Sequence, residues 1–78
     1  MNLFERVQQT LASTLKVSMV RVTEATRDED LPAWDSLGQV NIVMALEQTF
    51  GLYIEVEDFD KLKSVPAILE YLKQQDVA

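Results

Sequence analysis

Trp34-Asp35-Ser36-Leu37-Gly38-Gln39-Val40-Asn41-Ile42-Val43-Met44-Ala45-Leu46-Glu47-Gln48-Thr49-Phe50-Gly51 is the stretch that decides the fold. Leu37, Val40, Val43, Met44 and Phe50 fall on one side of a helix running from Ser36 to Phe50, and Ile42, Ala45 and Leu46 widen the apolar surface. Such a helix is either buried on several sides or presents part of its surface to a partner or ligand. Gly51 supplies the stop, since glycine takes the left-handed C′ conformation readily. At the start, Ser36 and Gln39 have the spacing of a capping box, and Asp35 could equally be the cap. Gly38 lies in the first turn, where glycine lowers helix propensity. The start of this helix is therefore expected to be looser than its middle, with a partner approaching closely at Gly38.

Upstream, Phe4, Val7, Leu11 and Leu15 recur at helical spacing behind Asn2, a capping residue, and predict a helix from residue 3 to about 17. Residues 18–35 lose the pattern: β-branched Val20, Val22, Thr23 and Thr26 alternate with charges, and Pro32 breaks any helix. A structureless connection of this length is either functional or locally pinned, and Leu31 and Trp34 are the expected pins. Downstream, the Leu52–Val56 piece is extended, and Glu57–Leu62 can form a turn or two of helix, with Asp58 as its possible cap. Ser64 followed by Val65-Pro66-Ala67 starts a last helix that buries Val65, Ile68, Leu69 and Leu72 and frays near Gln74. The prediction is an all-α four-helix bundle, with three longer helices, one short third helix and a long loop between the first and second. Residues 1–78 make one domain, close to the smallest size at which an apolar core suffices without staples.

The chain has neither cysteine nor histidine. That excludes disulfides, a thiolate nucleophile, a Ser-His-Asp relay, an imidazole base and the usual zinc sites. No metal site is expected. Net charge is −6, and the acidity is regional: residues 23–60 hold ten acids against one base, whereas both flanks are slightly positive. Phosphate backbones need clustered Lys and Arg, so nucleic acid is an unsuitable partner, and a basic protein surface is the complement. The N-terminus lacks the basic start and apolar core of a secretory signal, and no apolar run reaches membrane-spanning length. A soluble, cytoplasmic, monomeric protein without membrane insertion is expected.

The segment from Trp34 to Phe50, with the Ile54–Phe59 passage before the short helix, resembles the acyl carrier protein family over essentially the whole chain. Asp-Ser-Leu alone is a weak signal. At mid-chain, after a long loop in a small acidic helical domain, it is a strong one. The resemblance implies a carrier rather than an enzyme. Ser36 would bear 4′-phosphopantetheine, transferred from coenzyme A by a phosphopantetheinyl transferase, and acyl groups would ride as thioesters on the arm. A serine at a helix start suits this, because the helix N-terminus tolerates phosphate. Asp35 would contact the transferase or its metal ion. Further implied partners are an acyl-loading ligase or acyltransferase and a downstream synthase or transferase with a basic docking surface. Leu37, Gly38, Asn41, Glu47, Gln48 and Glu55 are the candidate partner-binding residues. In the family an acyl pocket forms between the helices; Val40, Met44, Leu46, Ile54, Phe59, Leu62 and Ile68 are its candidate lining here, against a plain core-packing role for each.

This chain departs from the fatty-acid-type pattern in carrying Gly38, Asn41 and Gln48 where acids are common, while keeping Glu47, and in placing Trp34 before Asp-Ser-Leu. These departures resemble a dedicated carrier of a specialised pathway, such as polyketide or other acyl-transfer biosynthesis. Alternatives are a general fatty-acid carrier, an aminoacyl or D-alanyl carrier, and an unmodified acidic adaptor.

Overall fold

In the computed structural model, which describes residues 1–77, three α-helices surround one apolar core: α1 (Leu3–Leu15), α2 (Ser36–Phe50) and α3 (Val65–Gln74). The short third helix is a 3₁₀ helix over Val56–Lys61. The chain is all-α, and no strand occurs among the described residues.

α1 starts in a full capping box: Asn2 Oδ1 accepts from the Glu5 N–H at 2.8 Å while Glu5 Oε1 accepts from the Asn2 N–H at 3.2 Å. It ends two residues earlier than periodicity suggested, because Lys16 turns left-handed at φ 59°. Val7, Leu11, Ala12 and Leu15 face inward.

The connection over residues 16–35 is ordered rather than structureless, with 3₁₀ turns at Met19–Arg21 and Asp28–Asp30. Leu31 and Trp34 are buried as expected, and Val22 and Thr26 join them. Polar bonds do the rest. Gln8 Nε2 donates to the carbonyls of Met19 and Val22 at 3.0 and 2.9 Å, and Thr26 Oγ1 accepts from the Thr23 N–H at 2.8 Å. The loop is also tied across the molecule to the start of α3: the Asp28 N–H donates to Lys63 O and the Val65 N–H to Thr26 O, both at 2.8 Å.

α2 ends at Gly51, left-handed at φ 64°, as its sequence predicts. The Glu47 side chain then holds the following segment, Oε2 accepting from the Ile54 N–H at 2.9 Å. Asp58 does not cap the 3₁₀ helix, which begins after Glu55 without a side-chain cap; Asp58 lies inside it and pairs with Lys61 at 3.0 Å. α3 opens as predicted, with Ser64 Oγ accepting from the Ala67 N–H at 3.1 Å and Pro66 in the first turn. No helix among the described residues is long and apolar enough to cross a membrane.

Candidate functional site

α2 begins where the loop delivers Asp35 in extended conformation, and Asp35 is the N-cap: its Oδ1 accepts from the Gly38 N–H at 2.8 Å. Ser36 is the first helical residue. The Ser36–Gln39 capping box is therefore not formed, because the Asp35 side chain one residue earlier already takes the capping position. The consequence bears on chemistry. Ser36 is exposed, and its hydroxyl is not consumed in capping. It stands at the positive end of a 15-residue helix, whose first N–H groups lack intrahelical partners.

Gln39 is turned inward instead. Its side chain accepts from Trp34 Nε1 at 2.6 Å and donates to the carbonyls of Phe59 and Leu62 at 2.7 and 3.0 Å. Both residues are buried, with 7% of Gln39 and 4% of Trp34 accessible, and among the described residues no buried side-chain polar atom lacks a partner. Sequence periodicity missed this role. The available signal was Trp34 itself, since a buried indole N–H needs an acceptor.

Beside Ser36 lies an open cleft of about 390 Å³, lined by Trp34, Gln39, Val40 and Phe59 and by Asp28, Asp60 and Lys63. Asp35 and Ser36 line it as well. Lys63 approaches Asp60 at 3.8 Å. No group of acids that could hold a metal ion occurs among the described residues.

The residues singled out from sequence separate into three sets. On the exposed side of α2 and just after it lie Leu37 (70% accessible), Asn41, Met44, Gln48 and Glu55. Leu37, Val40 and Met44 thus do not share the buried face with Val43, which is formed by Gly38, Gln39, Ile42, Val43 and Leu46. Met44 is half exposed, and Val40 faces the outer cleft. Leu46, Ile54, Leu62 and Ile68 are buried in the core, and Phe59 packs against it.

Gly38 is corrected most, and Glu47 stands apart from the exposed set. Gly38 is buried: a Cβ there would collide with the Ala33 carbonyl oxygen and meet Leu15 Cδ2 at 3.1 Å. Its missing side chain serves the close approach of α2 to the loop and α1, not a partner. Glu47 is half-buried and its carboxylate is engaged by the Ile54 N–H.

A shallower groove of about 220 Å³ runs between the 3₁₀ helix and α3, past Lys61, Leu62, Ala67, Glu70, Tyr71 and Gln74. Burial pushes the Tyr71 phenol above its usual range, and the carboxylates of Asp58, Glu55 and Glu47 add to the shift against an opposing Lys61.

An exposed hydroxyl at a helix start, with a mixed polar and apolar cleft alongside, fits a phosphate-linked arm: the oxygen is free to form an ester, and the helix end favours the negative charge. Comparison with known proteins agrees. The family described as the phosphopantetheine attachment site matches residues 5–72. The chain is similar to an acyl carrier protein of Helicobacter pylori (strain ATCC 700392 / 26695), 40% identical with all of both chains covered. It is also similar to an acyl carrier protein of Thermosynechococcus vestitus, 39% identical over 97% of this chain and 94% of that one.

Proposed function

The chain belongs to the acyl carrier protein family, whose members bear phosphopantetheine and are carriers rather than catalysts, and we propose that within it Ser36 is the attachment residue. The observation that carries this is the division of labour at the start of α2: Asp35 caps the helix, which leaves exposed Ser36 uncommitted beside the cleft it lines. In the attachment step the Ser36 oxygen forms a bond to the pantetheine-side phosphorus of coenzyme A. The pyrophosphate bond breaks, adenosine 3′,5′-bisphosphate leaves, and the serine proton passes to a base of the transferase. The arm then supplies a thiol, on which an acyl group is carried as a thioester. Residues 1–78 act as one monomeric carrier unit in the cytoplasm.

The outward surface of α2 supports a reading of the pathway. Leu37, Asn41, Met44 and Gln48 are exposed there, and the helix's one acid, Glu47, is engaged internally. Carboxylates for a basic partner come from the neighbouring Asp35, Glu55 and Glu57. This weakly charged face supports a dedicated carrier of a specialised acyl-transfer pathway, polyketide-like in type, over a general fatty-acid carrier. Recognition would then rest more on shape and apolar contact than on charge pairing.

Incubation with coenzyme A, magnesium and a broad-specificity phosphopantetheinyl transferase tests the attachment. Intact mass should rise by one phosphopantetheine in the wild type and not in Ser36→Ala. Modification of Ser36→Ala, or none of the wild type, would refute it. For the pathway, Asn41→Asp with Gln48→Glu should lower transfer to the cognate acyl enzyme and leave arm attachment intact; unchanged or faster cognate transfer would favour the general carrier.

A further inference from the structure

From Ser36 the buried face of α2 runs through Gln39 to Ile42, Val43 and Leu46, so a group entering the core along this face from the attachment point meets Gln39 first. Across from Gln39 stands the 3₁₀ helix, and entry there means parting it from α2. Such parting removes both carbonyl partners of the Gln39 amide, at Phe59 and Leu62, from a side chain only 7% accessible. The Trp34 indole, bonded to the same side chain at 2.6 Å, closes the other side. Beyond this point the interior is filled: Ile42, Val43, Leu46, Ile54, Leu62 and Ile68 are each 2% accessible or less. Outside it, the cleft at Ser36 is already open, and its wall mixes Trp34, Val40 and Phe59 with Asp28, Asp60 and Lys63.

We propose that Trp34, Gln39 and the carbonyls of Phe59 and Leu62 form a bolt that shuts the core to the cargo, so that an acyl group carried from Ser36 rests in the outer cleft. This rests on Ser36 being the attachment residue. The mixed wall suits short acyl groups bearing polar substituents better than long alkyl chains, which find no apolar channel to fill. Gln39 and Trp34 are thus positioning residues that select where the cargo lies.

The full chain is loaded with butanoyl, octanoyl or dodecanoyl arms from the corresponding coenzyme A thioesters, each form is checked by intact mass, and thermal melting is recorded. Wild-type forms should melt within about 2 °C of one another, because no additional apolar surface is buried as the chain lengthens. In Gln39→Met, which keeps the length and loses the bonds, the dodecanoyl form should melt higher than the butanoyl form by about 4 °C or more. A purely structural role for Gln39 would shift all three forms equally. Melting of the wild type that rises steadily with chain length overturns the proposal, even if the variant does not fold. Absence of any mass gain refutes the attachment instead. In that event hydrogen exchange of the Trp34 indole in the unloaded chain still decides: exchange only through global unfolding supports the bolt, and fast exchange refutes it.

Discussion

Replacing Gly38 by alanine should destabilise this protein, against the expectation from helix propensity alone. In an exposed helix the change would gain up to about 1 kcal/mol, since glycine loses the most backbone freedom on folding. Here the new methyl meets the Ala33 carbonyl oxygen and Leu15 Cδ2. Leu15 can shift its terminal methyl by a few tenths of an ångström. The carbonyl cannot move as cheaply, because it belongs to backbone held between buried Leu31 and Trp34, with the Trp34 N–H donating to Leu31 O at 2.9 Å. Overpacking of this kind costs about 1–3 kcal/mol. If the helix start moves away to relieve it, the bond from the Gly38 N–H to Asp35 is weakened, and a lost cap costs about 0.5–2 kcal/mol. The net expectation is a loss of about 1–3 kcal/mol. For a domain this small that lowers Tm by about 5–20 °C. Urea titration followed by far-UV circular dichroism and by Trp34 fluorescence measures it. An alanine variant as stable as the wild type, or more stable, would show that the contact is absent and that Gly38 is an ordinary helical glycine.

Asp35→Ala should cost about 1 kcal/mol by removing the cap, whereas Ser36→Ala should change stability by less than about 0.5 kcal/mol; equal effects in denaturant titration would contradict the assignment of the cap. Tyr71, raised by burial and by nearby carboxylates, holds its proton more tightly folded than unfolded. Its contribution is complete below the unfolded pKa of about 10 and falls as pH rises through the folded value, so Tyr71→Phe should flatten the alkaline loss of stability, and an unchanged profile above about pH 10 would refute this. With ten acids against one base in residues 23–60, Tm should rise between low and moderate salt as self-repulsion is screened, and a fall would count against it.

The elements most legible in the sequence are those whose signals are local. Asn2 before an apolar repeat, Gly51 after one, and Ser64 before Pro66 each mark a helix end through short-range hydrogen bonding or φ preference, and the ends lie there. Ser36 was legible as a candidate because Asp-Ser-Leu sits at a helix start. Long-range contacts were not legible. Val22 and Thr26 alternate with charges as an exposed loop would, and only packing against α1 and the start of α3 buries them. The orientation of α2 was misjudged for the same reason. Apolar residues lie all round it, so periodicity cannot say that Ile42, Val43 and Leu46 turn inward while Leu37 and Met44 turn out. In its first turns Gly38 read as a position open to a partner and Gln39 as half of a capping box, and both are committed to contacts from distant segments.

The tether between residues 26–28 and 63–65 bears on the thermodynamics of recognition. Fixing a residue's backbone costs about 1–2 kcal/mol, and a partner that orders a loop on contact must supply that free energy from its own interface. Here the connection leading to Ser36 is already fixed by the fold, through Thr26 to Val65 and Asp28 to Lys63. An enzyme meeting Ser36, the proposed attachment residue, therefore docks a preorganised surface, much as a rigid body. Even a small interface can then bind usefully while still releasing quickly, as suits a carrier that visits several enzymes in turn.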